Sequence, residues 1–75
     1  KAFPNPANEF LNIEIDSQYA QKIQNVQLIN QAGQIVLTSK NYHQLSLHNI
    51  AAGNYQISFI GYDQQILGKL TITKQ

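Results

Sequence analysis

The clearest evidence for the fold is the segment Gly53-Asn54-Tyr55-Gln56-Ile57-Ser58-Phe59-Ile60-Gly61. Large apolar side chains occupy every second position, and mostly polar side chains stand between them. Because successive side chains of a β-strand point to opposite faces of a sheet, this period of two predicts a strand with one buried face. We expect that face to consist of Tyr55, Ile57 and Phe59, with Gln56, Ser58 and Ile60 on the other.

Turn signals bound this strand and recur along the chain. Ala51-Ala52-Gly53 precedes it, and Asp63-Gln64-Gln65 follows it. Asn30-Gln31-Ala32-Gly33 predicts another turn, in which Gly33 takes a positive φ. The chain is therefore divided into short segments about ten residues apart, a spacing typical of all-β folds.

The same period of two predicts further strands at 11–15, 22–30, 34–39 and 45–48, and a last one that begins at Ile66. The apolar positions change phase between Ile23 and Val26, which predicts a bulge or bend near Gln24-Asn25. The weak helical pattern at 18–27 contains β-branched and amide residues that disfavour a helix. In the last strand we expect one face to carry Ile66, Gly68, Leu70 and Ile72, with Lys69, Thr71 and Thr73 opposite.

Six or seven strands without helices predict an all-β fold, a small antiparallel β-sandwich with Greek-key connections. The chain lacks the Cys-Trp-Cys pattern of antibody domains. We therefore expect a sandwich that is immunoglobulin-like in architecture only. No linker or internal repeat divides the chain, so the sequence predicts one domain over residues 1–75.

Composition excludes several functional classes. Only 12% of the 75 residues are charged, the formal net charge is +1, and there is no cysteine. Low positive charge argues against nucleic acid as a partner, and no apolar run approaches the ~20 residues of a membrane span. Glutamine and asparagine supply the polar surface instead of charge. Exposed edge strands with so few charges favour a monomer or a weak edge-strand dimer.

No motif predicts catalysis. Ser46 and His48 share a predicted strand face, and Asp63 lies elsewhere in the chain. A Ser-His-Asp set of this kind occurs in almost any sequence, and no nucleophile-elbow pattern supports it. A core this small also leaves little room for a deep pocket. We expect a protein that is not an enzyme and has no cofactor.

Two binding sites remain as weaker alternatives. Glu14 and Asp16 stand on one strand face and form a carboxylate pair, but Ca²⁺ sites need more oxygen ligands from a looped backbone. A solvated face is the simpler interpretation of this pair. Tyr19, Tyr42 and Tyr62 stand near predicted turns, where they could form a platform that stacks on sugar rings.

The order of four short motifs resembles a known family. Phe3-Pro4-Asn5-Pro6-Ala7 begins the chain, and Ile50-Ala51-Ala52-Gly53-Asn54-Tyr55 lies past its middle. Between them stands 26–36, which contains Gln31-Ala32-Gly33, and Lys69-Leu70-Thr71-Ile72-Thr73-Lys74 closes the chain. The whole resembles the C-terminal sorting domain, type A, of cargo proteins of the type IX (Por) secretion system.

The resemblance implies a role, partners and a location. Such domains end larger secreted proteins of Bacteroidota-type bacteria, so this chain is expected to be cut from a larger parent. The parent would pass through the periplasm and then reach the cell surface or the medium. The partners implied are the translocon components, including an outer-membrane shuttle, and a surface sortase that removes the domain.

The family motif corresponds here to Pro4, Asn5, Pro6, Gly33, Gly53 and Tyr55. The two prolines fix φ and predict a rigid entry to the domain. Tyr55 is expected to bury its ring and to donate its hydroxyl to the backbone, as a corner tyrosine does. Ile50 replaces the leucine that is usual in the family.

The last strand supplies the candidates for recognition by the translocon, which are Lys69, Leu70, Ile72 and Lys74. Lys69 and Lys74 are five residues apart and should face opposite sides of a regular strand. Recognition is therefore expected to involve the strand and its backbone. The alternative function is a fibronectin-like accessory module, a binding or spacer domain of a surface glycosidase or adhesin.

Overall fold

A computed structural model describes residues 2–3 and 9–75 of the chain. In these residues the chain forms seven strands and one helical turn. They are β1 (Ala2–Phe3), β2 (Phe10–Ile13), α1 (Ser17–Ala20), β3 (Ile23–Ile29), β4 (Ile35–Ser39), β5 (Gln44–Ser46), β6 (Gly53–Gly61) and β7 (Ile66–Lys74).

The strands form two antiparallel sheets, one in the order β1-β2-β5 and the other in the order β4-β3-β6-β7. Two of the pairs, β2 with β5 and β3 with β6, join strands that are not consecutive in the chain. The prediction of an all-β antiparallel sandwich is confirmed.

The core lies between the two sheets. Apolar side chains from both sheets are buried there, because each strand turns alternate residues inward. The buried cluster comprises Leu11, Ile13, Ile23, Val26, Leu28, Leu45, Leu47, Tyr55, Ile57, Phe59 and Ile72.

Strand β6 contributes to the core as predicted, with Tyr55, Ile57 and Phe59 buried. The opposite face of β6 is less accessible to solvent than the sequence suggests, because Ser58 and Ile60 are buried as well. The Ser58 hydroxyl has no hydrogen-bond partner among the described residues. An unsatisfied buried hydroxyl costs about 1–3 kcal/mol. The burial of Ser58 in the middle of β6 therefore lowers the stability of the domain.

The turn between β3 and β4 is organised by Asn30. Its Oδ1 accepts hydrogen bonds from the backbone N–H groups of Ala32 and Gln34, at 3.0 and 2.9 Å. Gly33 has a φ of 84°, and a Cβ there would meet nothing within 4 Å, so backbone conformation alone favours glycine. The bulge predicted near Gln24-Asn25 is also confirmed, because the β3–β6 register shifts between Ile23 and Asn25.

The first long strand is shorter than predicted, and a helical turn follows it. Strand β2 ends at Ile13, and α1 occupies residues 17–20, where no helix was expected. Asp16 caps the turn, with its Oδ1 accepting the Gln18 N–H at 2.8 Å. Within the part of the chain that is described, no helix is long and apolar enough to cross a membrane.

The predicted position of Ile66 on the inner face of the last strand is wrong. The β6–β7 register shifts between Phe59, which is opposite Gly68, and Ile60, which is opposite Ile66. This bulge adds one residue, Leu67, and so moves Ile66 to the other face, where 56% of it is exposed.

Gly68 lies against the hydroxyl end of the Tyr19 side chain. A Cβ at Gly68 would be 2.7 Å from the Tyr19 hydroxyl oxygen and 3.9 Å from its Cζ. The Tyr19 ring also meets Phe59 edge to face, with centroids 6.3 Å apart. The glycine therefore lets the α1 segment close over the beginning of β7.

We predict that Gly68→Ala destabilises the domain only while the Tyr19 hydroxyl is present. In the Tyr19→Phe background the nearest atom to the new methyl group would be the ring carbon at an ordinary contact distance. The coupling energy between the two substitutions should be about 1 kcal/mol or more. Urea unfolding followed by circular dichroism measures it, and additive effects would contradict the prediction.

Candidate functional site

Strand β7 is an edge of the four-stranded sheet. Among the described residues it pairs with β6 alone, in a continuous register from Phe59 opposite Gly68 to Gly53 opposite Lys74. Within residues 2–3 and 9–75, no second strand pairs with the side of β7 that faces away from β6. An edge of this kind is a template on which an extended chain can add a further strand.

The four residues singled out for recognition lie along β7, but they differ in accessibility. Lys69 is exposed, whereas Leu70 is half-buried against the core and Ile72 is 1% exposed. Lys74 is half-buried, and the uninterrupted register places it on the face opposite to Lys69. In the folded domain the apolar pair holds the strand in place, and the two lysines flank the edge.

The turn that leads into β7 is held by several hydrogen bonds. The Gly61 N–H donates to the Gln65 carbonyl at 2.8 Å, and the Gln64 N–H donates to the Gly61 carbonyl at 3.0 Å. Asp63 Oδ1 accepts the Gln65 N–H at 3.2 Å. Gln64 takes a φ of 68°, and its side-chain amide donates to Gln24 Oε1 on β3 at 3.1 Å. The beginning of β7 is thereby tied to the sheet.

An open groove of about 370 Å³ follows the first half of β7. Glu14 and Asp16 line it on the side of the loop, and Lys69 lines it on the side of the strand. Ile15 and Tyr19 contribute apolar surface to the same groove. Sequence reasoning missed this groove, although Gly68 inside an alternating strand is a signal for a close backbone approach.

The family-motif residues described by the structure have structural roles. Tyr55 is buried, and its hydroxyl donates a hydrogen bond to the Ala51 carbonyl, which is the arrangement of a tyrosine corner. Gly53 is the first residue of β6, and Gly33 completes the β3–β4 turn. The remaining motif residues, Pro4, Asn5 and Pro6, lie outside the described residues.

A second groove, of about 710 Å³, lies at the end of the four-stranded sheet beside the β3–β4 turn. Asn54, Gln56 and Thr71 line it together with Asn30 and Gln31. Among the described residues, no acidic, basic or histidine side chain belongs to this lining. Its amides and hydroxyls can exchange hydrogen bonds with a neutral polar ligand, but they offer no acid–base or metal chemistry.

Two of the residues considered for catalysis and for Ca²⁺ stabilise local backbone structure. Asp63 stabilises the β6–β7 turn, and Asp16 caps α1. No group of three or more histidine, aspartate and glutamate side chains that could hold a metal ion occurs in residues 2–3 and 9–75.

The three tyrosines do not present a common stacking surface. Tyr19 and Tyr42 pack against the core, and the Tyr42 ring also contacts His43 in a tilted arrangement, with ring centroids 4.3 Å apart and 42° between the planes. Tyr62 alone is largely exposed, at 70%. A sugar platform needs accessible ring faces, so this arrangement does not favour the accessory-module alternative.

Comparison with known proteins gives one informative result. Residues 1–73 match the family model described as the secretion system C-terminal sorting domain. No curated protein and no solved structure matches the chain. The matched range contains the whole edge of β7 except its last residue, and also the corner formed by Tyr55.

We predict that Tyr55→Phe lowers the free energy of unfolding by about 1 kcal/mol, because it removes the hydrogen bond to Ala51 and leaves the ring in place. The matched control is Tyr62→Phe, whose hydroxyl belongs to an exposed side chain and should change stability by less than about 0.5 kcal/mol. Chemical denaturation of both variants measures the difference, and equal effects would show that the corner hydrogen bond contributes nothing.

Proposed function

The chain belongs to the family of secretion system C-terminal sorting domains, and we propose that it is a non-catalytic targeting domain which type IX machinery recognises at β7, the outermost strand of the four-stranded sheet. The family match over residues 1–73 is the observation that carries this proposal. Recognition would direct the attached protein across the outer membrane.

The accessibility of β7 supports recognition through the backbone. Ile72 is buried and Leu70 half-buried, so a partner that read their side chains would have to unfold the sandwich. The side of β7 that faces away from β6 can instead receive an added strand from the machinery without any change in the core. Lys69 and Lys74 would then orient a partner strand that carries acidic residues.

In this proposal the 75 residues form one domain of a larger secreted parent. The parent would cross the periplasm, meet an outer-membrane shuttle through this domain, and reach the cell surface or the medium. A surface sortase would then remove the domain. The low net charge of +1 is compatible with a domain that is recognised mainly through shape and backbone.

We predict that the chain, fused to the C-terminus of a periplasmic reporter in a host with a type IX system, exports the reporter. The double variant Lys69→Glu/Lys74→Glu should reduce the extracellular reporter severalfold, because it reverses both charges beside the edge. The control Lys22→Glu/Lys40→Glu changes net charge equally at exposed lysines outside β7 and should export normally.

A photo-crosslinking amino acid tests contact directly. Placed at Lys69 it should form an adduct with a component of the machinery, and placed at Lys22 it should not. Deletion of residues 66–75 serves as the decisive test of the proposal. Undiminished export after that deletion would overturn recognition through β7, and failure of the intact chain to export the reporter would overturn the targeting role itself.

A further inference from the structure

The groove beside β7 has an apolar floor and a charged rim. The less exposed side chains that line it are all apolar: Ile15, Tyr19, Phe59 and Leu70. The three exposed side chains are all charged: Glu14, Asp16 and Lys69. The apolar members come from the segment 14–19 and from two strands of the opposite sheet, and all of them belong to the core or pack against it. The groove is therefore a place where the core comes close to solvent at the edge of the sheet.

The volume of the groove limits what it can hold. About 370 Å³ is near the lower end of the ~300–1,000 Å³ that is typical of ligand sites. Gly68 contributes no side chain, so the backbone of β7 itself forms part of the wall. These dimensions suit one large side chain that projects from an extended segment lying along β7.

Alternation along β7 relates the groove to a strand added at this edge. Leu70 is directly opposite Ile57, which is fully buried, so Leu70 faces the core and Lys69 faces away from it. Residues directly opposite each other on neighbouring strands point to the same face of a sheet. In a strand added to β7, the side chain beside Leu70 would point toward the groove, and the side chain beside Lys69 would point to the outer face.

We propose that this groove is a specificity pocket, in which the strand that the machinery adds to β7 places one bulky apolar side chain beside Leu70. The inference rests on the proposed function and identifies the partner segment by its chemistry. Main-chain hydrogen bonds to β7 supply affinity in such a complex, and the pocket for one side chain supplies specificity. Contact of this apolar anchor with Ile15 and Tyr19 removes apolar surface of both partners from water.

Charge at the rim defines the neighbours of the apolar anchor. Glu14 and Asp16 repel an acidic side chain on the core-facing side of the added strand, whereas Lys69 attracts one on its outer side. The partner segment therefore alternates, with the apolar anchor on one face and acidic residues on the other. This pattern distinguishes it from a segment that would pair with any exposed sheet edge.

A matched pair of isoleucines tests the pocket. Ile15 and Ile50 both lie outside the strands, half-buried and packed against the core, and of the two Ile15 lines the groove. Ile15→Trp fills the groove and Ile15→Glu places a charge in it, so each should reduce export of the periplasmic reporter severalfold. Ile50→Trp and Ile50→Glu should export normally. Urea unfolding checks that all four variants are folded.

A photo-crosslinking amino acid at Glu14 identifies the segment that occupies the groove. Glu14 is exposed, so this variant leaves the core unchanged. Mass spectrometry of the adduct should show a segment with a large apolar residue, in the same component that a crosslinker at Lys69 captures. Alanine in place of that apolar residue in the partner should reduce export as much as Ile15→Trp does.

The outcomes separate the pocket from the targeting role. Equal export by the Ile15 and Ile50 variants would overturn the pocket and leave recognition through β7 intact, provided that deletion of residues 66–75 still abolishes export. A crosslinker at Glu14 that yields no adduct, or one with a segment lacking a large apolar residue, would overturn the pocket as well. Undiminished export after the deletion would instead overturn the proposed function, and the pocket with it.

Discussion

The pairing of β6 on both sides is the constraint on which the other elements depend. This strand is bonded to β3 through residues 56–61 and to β7 through residues 53–60, so it sets the register of three of the four strands in its sheet. Its inward residues Tyr55, Ile57 and Phe59 also meet the opposite sheet in the core. A shift of β6 by one residue would turn these three side chains away from the core, which makes the register strongly specified.

The four-stranded sheet has two outer strands, β4 and β7, and they differ in length and charge. Strand β7 is long and carries lysines, whereas β4 is short and neutral. Charge on an edge discourages pairing with an identical edge but attracts a complementary one.

Alternation predicted the parts of the fold in which local pattern and burial agree. The bounds of β6, the Asn30–Gly33 turn and the bulge near Asn25 were all visible in the sequence. Pattern alone misplaced Ile66, because a bulge shifts the period without changing the residue types. It also missed α1, whose four residues are too few to show a helical period and whose cap depends on one aspartate.

The candidate site was predictable only in part, for a related reason. Positions in β7 follow from the sequence, but its place at the edge follows from the order of the strands, which depends on long-range pairing. The groove beside Gly68 likewise depends on where the α1 segment closes over the sheet. Alternation predicts which residues share a face and does not predict which strand will be outermost.

The hairpin of β6 and β7 has a consequence for the order in which the domain folds. Its strands are joined by a short turn, whereas β2 and β5 pair across more than thirty residues, as between Asn12 and Gln44. Local pairs lose less chain entropy when they close, and they form sooner than distant ones. We therefore expect the β7 edge to take shape while the three-stranded sheet is still assembling, so that an emerging chain would display this edge before its core is complete.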